Sequence, residues 1–300
     1  MNLLLIGGSG FLSGTMARCA LQEGMQVWVV TRGKRPLPEG VHSIIADRSD
    51  RPAFAAAIAG AGVHWDLAVD CIAFTGDDAR QDLAVLTGRA DHLVLISTDS
   101  TIDPVDRPWQ IDETYDRFST QPYGKGKRDA EVALCDSDGK LPFTIIRPGH
   151  IYGPGSQLGC LPTHARDPQL IDRMRRGEPL RLVGGGHFLQ SPTFAEDLWE
   201  MSKSCFGNVK AIGQIYFAPG PDVIESREYY RLIAGVLGVE VSFAEVSITE
   251  HLAANPIQRS FFCHRVYLTA KARSDGLALP STLIAVGLRR HVEWMIAGGS

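Results

Sequence analysis

The sequence predicts an α/β fold: a doubly wound parallel sheet with a smaller mixed α/β substrate lobe. Three observations carry this expectation. Short all-apolar runs alternate with helix-length amphipathic segments through the first half of the chain. A glycine cluster, Gly7-Gly8-Ser9-Gly10, follows the first such run directly. After Pro148 the rhythm breaks into Gly- and Pro-rich loops and shorter elements.

Taken in order, Asn2–Ile6 is apolar almost throughout, as a strand covered on both faces must be. Leu12–Glu23 reads as a helix that Gly24 ends. Gln26–Thr31 and Ser43–Ala46 read as the second and third strands. The alanine-rich stretch Arg51–Ala59 is helical, with Pro52 in its first turn. Leu67–Ile72 is a fourth strand, Asp77–Leu86 a helix and His92–Ser97 a fifth strand. Tyr123–Leu134 is a helix and Phe143–Arg147 a sixth strand. Beyond Pro148, a basic helix over Pro168–Arg176, a strand over Leu180–Val183, a helix over Ala195–Cys205 and a strand over Gln214–Phe217 are expected. The domain reading follows. Residues 1–150 with 190–220 form the large sheet domain, and 151–189 with 221–300 the smaller lobe. The active site then lies between them, beyond the carboxyl ends of the strands.

Composition narrows the function classes. The 300 residues are 44% hydrophobic and 21% charged, with a formal net charge of −4. No basic surplus exists to neutralise a phosphate backbone, so nucleic acid is not the expected partner. No apolar run approaches the ~20 residues of a membrane span. The N-terminus lacks the basic region of a secretory signal, and a cytoplasmic protein is expected. Six cysteines are scattered without a Cys-x-x-Cys, which suits free thiols and no metal site.

The glycine loop carries the first chemistry. Gly8-x-Gly10-x-x-Ser13 fits the dinucleotide fingerprint, with Ser at the third small position. Glycine lets backbone N–H groups approach a pyrophosphate at the helix N-terminus. At the end of the second strand an NAD-binding protein presents an acid for the ribose hydroxyl. Here Thr31-Arg32-Gly33-Lys34-Arg35 presents bases, which favours NADP, with NAD as the alternative and a solvated basic turn as the structural one. Asp47, at the end of the third strand, is read as a partner of the adenine amino group or as a turn residue. Ser9, Phe11, Leu12, Arg48 and Ala73 complete the cofactor candidates.

Tyr123 and Lys127 stand four residues apart in Pro122-Tyr123-Gly124-Lys125-Gly126-Lys127, on one helix face. An unperturbed tyrosine has a pKa near ~10, and an adjacent ammonium and a positive nicotinamide are expected to favour its phenolate. Tyr123 then exchanges a proton with an alcohol or carbonyl. Thr98, in Ser97-Thr98-Asp99-Ser100 at the end of the fifth strand, is placed to polarise the substrate oxygen. Phe74, Ser100, His150, Tyr152 and Gln190 are the substrate candidates, with packing as the equal alternative for Tyr152. His164, Arg166, Arg173, Arg175 and Arg176 are candidates to meet an anionic substrate, although Arg175 and Arg176 rather suit the dipole of their own helix, and His187 is a further candidate contact.

In these motifs the chain resembles the extended short-chain dehydrogenases/reductases of the NAD-dependent epimerase/dehydratase group. The matching stretches are Gly-Gly-Ser-Gly-Phe-Leu (7–12), Trp-Asp-Leu-Ala-Val-Asp (65–70), Ile-Ser-Thr-Asp (96–99), Tyr-Gly-Lys-Gly-Lys (123–127), Arg-Pro-Gly-His-Ile-Tyr-Gly-Pro-Gly (147–155) and Phe-Ala-Glu-Asp-Leu (194–198). The resemblance implies a Rossmann domain, a nicotinamide cofactor and a small, sugar-like or nucleotide-sugar substrate. It implies Thr98, Tyr123 and Lys127 as the catalytic set, with Asp99 beside them. Gly7, Gly10 and Ser13 become the pyrophosphate loop, and Pro148 to Ile151 border the nicotinamide. By analogy it implies a homodimer. Two departures stand out. Asp99 is followed by Ser100 where dehydratases carry Glu, and Gln190 stands where UDP-sugar epimerases place an arginine on the diphosphate. The expected function is an NAD(P)-dependent oxidoreductase or epimerase acting on a secondary alcohol or ketone. Thr31-Arg32-Gly33 also resembles an atypical branch with chloroplast RNA-binding relatives, so a non-catalytic NADP-binding or RNA-associated protein is the alternative.

Overall fold

The computed structural model describes residues 1–160 and 164–299. Seven strands form the central sheet: β1 (Asn2–Ile6), β2 (Gln26–Thr31), β3 (His42–Ile45), β4 (Leu67–Asp70), β5 (Leu93–Ile96), β6 (Phe143–Pro148) and β7 (Gln214–Ala218). They lie in the order β3-β2-β1-β4-β5-β6-β7, and every neighbouring pair is parallel. The chain winds outward from β1 to β3, then crosses back to β4 on the other side of β1. That reversal is the switch point at which a crevice opens beyond the strand ends.

β1 is apolar on both faces because both are covered. Leu3 and Leu5 pack in one layer with Met16, Ala20 and Trp199; Leu4 and Ile6 pack in the other with Phe54, Ile58 and Leu86. Four helices link the strands of the first half: α1 (Phe11–Gln22), α2 (Arg51–Gly60), α3 (Gly76–Leu86) and α4 (Pro122–Cys135). Asp50 caps α2 by accepting from Ala53 N at 3.1 Å, and Thr75 with Asp78 forms a capping box on α3.

Two of the elements that are shorter than their sequence pattern show why. β4 stops at Asp70 rather than Ile72, because Asp70 Oδ1 accepts the N–H groups of Ile72 and Ala73 at 2.5 and 2.8 Å. Donors held by a side chain cannot continue a ladder. The basic helix spans only Leu170–Arg175; Gln169 N–H is taken by Asp167 Oδ1 at 2.9 Å, which makes the entry a turn.

Outside the central sheet the strands pair over two to four residues, such as Leu180–Val183 with Phe243–Val246 and Gln110–Ile111 with Val266–Tyr267. A third core gathers Leu158, Leu180, Tyr229, Ile233 and Leu288 around the helices Ser226–Leu237 and Ile284–Ile296. Among the described residues no helix is long and apolar enough to cross a membrane.

Candidate active site

The glycine loop sits at the carboxyl end of β1. A Cβ on Gly8 would fall 2.1 Å from Val29 Cγ1, so no larger residue fits there. Gly10 differs: a Cβ would make only ordinary contacts, 3.5 Å from Ser13 Oγ and 3.7 Å from Gly7 O. Packing within the protein does not demand glycine at that position, whereas close approach of a ligand would. Ser13 donates to Gly7 O at 2.7 Å and Thr31 to Ser9 Oγ at 3.2 Å, tying the loop to α1 and to the end of β2. Phe11 and Leu12 open α1 directly behind it. These features fit a dinucleotide pyrophosphate.

Arg32 and Lys34 are exposed beyond β2, and Asp47 is exposed near them. Asp47 Oδ1 accepts from Ser49 N and Oγ at 3.0 and 2.8 Å. Those bonds, with smaller contributions from Arg32 and Lys34, hold its pKa below the usual carboxylate value. Arg48 is otherwise engaged. Its guanidinium turns inward to Asp70 at 2.7 Å, Asp82 at 2.9 Å and Asp78 at 3.5 Å. As a side-chain contact to the cofactor it is corrected: three carboxyl groups hold it beneath the site. Ala73 is buried, with its N–H given to Asp70.

The proton-transfer residues converge at the strand ends. Lys127 is 2% exposed and donates to Ile96 O at 2.8 Å, with its ammonium 4.7 Å from the centre of the Phe74 ring. Tyr123 lies exposed on the cleft wall, beside Thr98. Two glycines let α4 come this close. A Cβ on Gly124 would fall 2.0 Å from Ser100 O, and one on Gly126 2.5 Å from Phe74 O. α4 is locked to the sheet by Glu131, which accepts from Ser97 Oγ at 2.6 Å and from Arg147 Nε and Nη2 at 2.8 and 2.6 Å, all buried. Among the protein's own groups, desolvation on the cleft wall raises the pKa of Tyr123, and the neighbouring Thr98 hydroxyl only partly opposes it. Lys127 is tied to the Ile96 carbonyl, and burial lowers its own pKa. Tyr123 therefore holds its proton.

A cavity of about 570 Å³ opens in front of Tyr123. Thr98, Ser100, Pro148, His150 and Ile151 line it, and so do Arg166, Ile257 and Arg265. Burial, reinforced by the charges of Arg166 and Arg265, pushes the His150 pKa down to about 3, so its imidazole is neutral.

Several site expectations are corrected. Asp99 lines the cavity but is no proton donor. Burial alone would raise its pKa; Arg265 Nη1 at 2.5 Å and the Tyr267 hydroxyl at 2.6 Å hold it below the usual carboxylate value. Asp99 is thus an ionised positioning group. Tyr152 is buried between Phe194 and Tyr229 and is a packing residue. Gln190 is buried 2.9 Å from Cys160 Sγ and donates to Ser226 Oγ at 2.6 Å, outside the cavity lining. His187 pairs with Glu225 at 3.0 Å, also away from the cavity. The sequence reading missed Arg265, Tyr267 and Arg107, which donates to Tyr267 Oη at 3.2 Å. The available signal was weak: a charge beside the short apolar run Val266–Tyr267.

Comparison with known proteins places this geometry. The model of the family described as NAD dependent epimerase/dehydratase matches residues 3–216. A 2-alkyl-3-oxoalkanoate reductase of Stenotrophomonas maltophilia is 27% identical, over 97% of this chain and 98% of its own. The chloroplast stem-loop binding protein of 41 kDa b of Arabidopsis thaliana is 24% identical over 73% of this chain and 58% of its own length. Among solved structures, UDP-glucose 4-epimerase of Thermotoga maritima with UDP-glucose superposes with a TM-score of 0.79 at 16% identity, covering 99% of each chain. UDP-glucuronic acid 4-epimerase of Bacillus cereus, in complex with UDP-glucuronic acid and NAD, gives 0.76 at 17% identity, again over 99% of each. At such identity these two share the fold.

Proposed function

Because the chain belongs to the NAD dependent epimerase/dehydratase family, we propose that it is an NADP-preferring reductase that converts a ketone of a small metabolite to a secondary alcohol. The observation that carries the reading is Tyr123 beside Thr98 at the mouth of a cavity, with Lys127 buried one helical turn behind it. A bound nicotinamide supplies hydride to the carbonyl carbon. The chain's own residues do the rest. Thr98 and Tyr123 orient the carbonyl oxygen, and Tyr123 Oη delivers the proton that completes the alcohol. Lys127, buried and fixed by Ile96 O, is positioned to hold the nicotinamide ribose. Pro148 to Ile151 form the wall against which the ring would lie.

Gln190 is neutral and buried outside the cavity lining, which supports a reductase over a nucleotide-sugar epimerase. The reductase from Stenotrophomonas maltophilia, matched end to end, supports the same choice. The NADP preference rests on Arg32 and Lys34 beyond β2, where no acid stands.

Tyr123→Phe tests the chemistry: ketone-dependent oxidation of NADPH should fall roughly 10²–10⁴-fold with cofactor affinity unchanged. Undiminished turnover would overturn the assignment. For the cofactor, NADPH should bind roughly 10- to 150-fold more tightly than NADH at low salt, and Arg32→Asp should reverse the order. Equal dissociation constants in the wild-type protein would leave the basic turn merely solvated.

A further inference from the structure

Of the five bases that the sequence offered to an anionic substrate, Arg166 alone lines the cavity. His164 is held by Asp167 at 3.0 Å, Arg173 lies between Asp167 and Glu178, and Arg176 pairs with Glu178 at 2.7 Å. Arg175 ends the helix Leu170–Arg175, outside the lining. Arg166 has no hydrogen-bond or ion partner among the described residues.

The backbone of Arg166 is left-handed, with φ 51°. A non-glycine residue rarely adopts this conformation, and it persists where the surroundings enforce it. The next residue does so here. Asp167 is gripped by His164 and Arg173 on its carboxylate and donates its N–H to Leu158 O at 2.8 Å. The Arg166 charge also reaches the reacting end of the cavity. Beside the larger effect of burial, it lowers the pKa of both Tyr123 and His150. On the same cavity, Ile257 and Phe261 contribute apolar surface, and Ile257 is 72% exposed.

We propose that Arg166 receives a carboxylate of the substrate, so that the substrate class is an oxo acid with an apolar tail against Ile257 and Phe261. The proposal rests on the hydride-transfer reading for the carbonyl alone; the carboxylate contact stands on Arg166. A single carboxylate matches the charge available. The second guanidinium of the cavity, Arg265, is already bonded to Asp99, so among the described residues a diphosphate would find one free cation of the lining for two charges.

Calorimetry on protein saturated with its oxidised cofactor tests this, with 3-oxooctanoate, its methyl ester and UDP-glucose as probes. The acid should bind the wild-type protein roughly 10- to 100-fold more tightly than the ester. Arg166→Gln should remove that preference and leave the ester unchanged. Arg166→Gly should do the same while keeping the fold, because glycine accepts a left-handed backbone without strain. The proposal is overturned if the acid does not bind, if its preference survives in both variants, or if UDP-glucose binds the wild-type protein more tightly than the acid. NADPH oxidation is followed separately. An acid that binds through Arg166 and is not reduced defeats the reductase reading and leaves the carboxylate contact standing.

Discussion

Two buried acid–base clusters flank the crevice, and they resolve the same problem in opposite ways. Under the cofactor end, Arg48 serves Asp70 and Asp82 together, with Asp78 at the rim. Under the substrate end, one carboxylate, Asp99, is served by Arg265 and Tyr267, with Arg107 behind them. Burial acts to raise the pKa of Asp70, Asp82 and Asp99 alike, so desolvation does not distinguish the clusters. The count of partners does. Asp99 has more donors than it needs and stays ionised. At the other end the donors go first to Asp70, which takes Arg48 and the N–H groups of Ile72 and Ala73. Asp82 sits beside an existing negative charge with Oδ2 unpartnered, and its pKa is raised well above the usual value. A cluster rich in acids keeps a proton; a cluster rich in bases gives it up.

Removing the scarce partner should do the most damage. Arg48→Leu leaves Asp70 fully buried without its cation and should cost about 3–5 kcal/mol, read by urea unfolding. A cost below about 1 kcal/mol would mean that Asp70 simply takes up a proton and that the pairing matters little. Arg265→Leu should cost less, about 1.5–3 kcal/mol, because the Tyr267 hydroxyl still bonds Asp99. A loss equal to that of Arg48→Leu would break the contrast between the clusters.

The pH dependences should also differ in sign. Asp70 and Asp99 have lowered pKa values. Their stabilisation is present above the unfolded value near ~3.9 and is lost as pH falls through the lower folded value. Asp82 is raised. Its contribution is complete below ~3.9 and is lost as pH rises through its folded pKa. Asp82→Asn should therefore flatten the decline in stability above pH ~4 and leave the acid limb in place. At pH 7 the variant should equal or exceed the wild type by about 1 kcal/mol. An Asp82→Asn protein with an unchanged slope between pH ~4 and ~7 would show that Asp82 ionises normally.

The first half of the chain was legible because its signals are local. Leu3, Leu4 and Leu5 announce a strand covered on both faces, and all three are completely buried. Tyr123 and Lys127 are four residues apart on α4, so helical geometry alone brings them to one face. The later part was less legible because its elements are short and their partners distant. Val266–Tyr267 is a two-residue strand whose neighbour is Gln110–Ile111. No periodicity can be read from two residues.

What the sequence by itself determined is the parallel sheet, the glycine loop and the spacing of Tyr123 and Lys127 on one helix, each written in neighbouring residues. Tertiary structure alone decided which charges face the cavity. The bond between Asp99 and Arg265 spans 166 positions, and the turn of Arg48 inward to Asp82 spans 34. A sequence states that an arginine is present. Whether its charge is spent inside the protein, as at Arg48, or left for a ligand, as at Arg166, depends on which carboxylates the packed fold brings within reach.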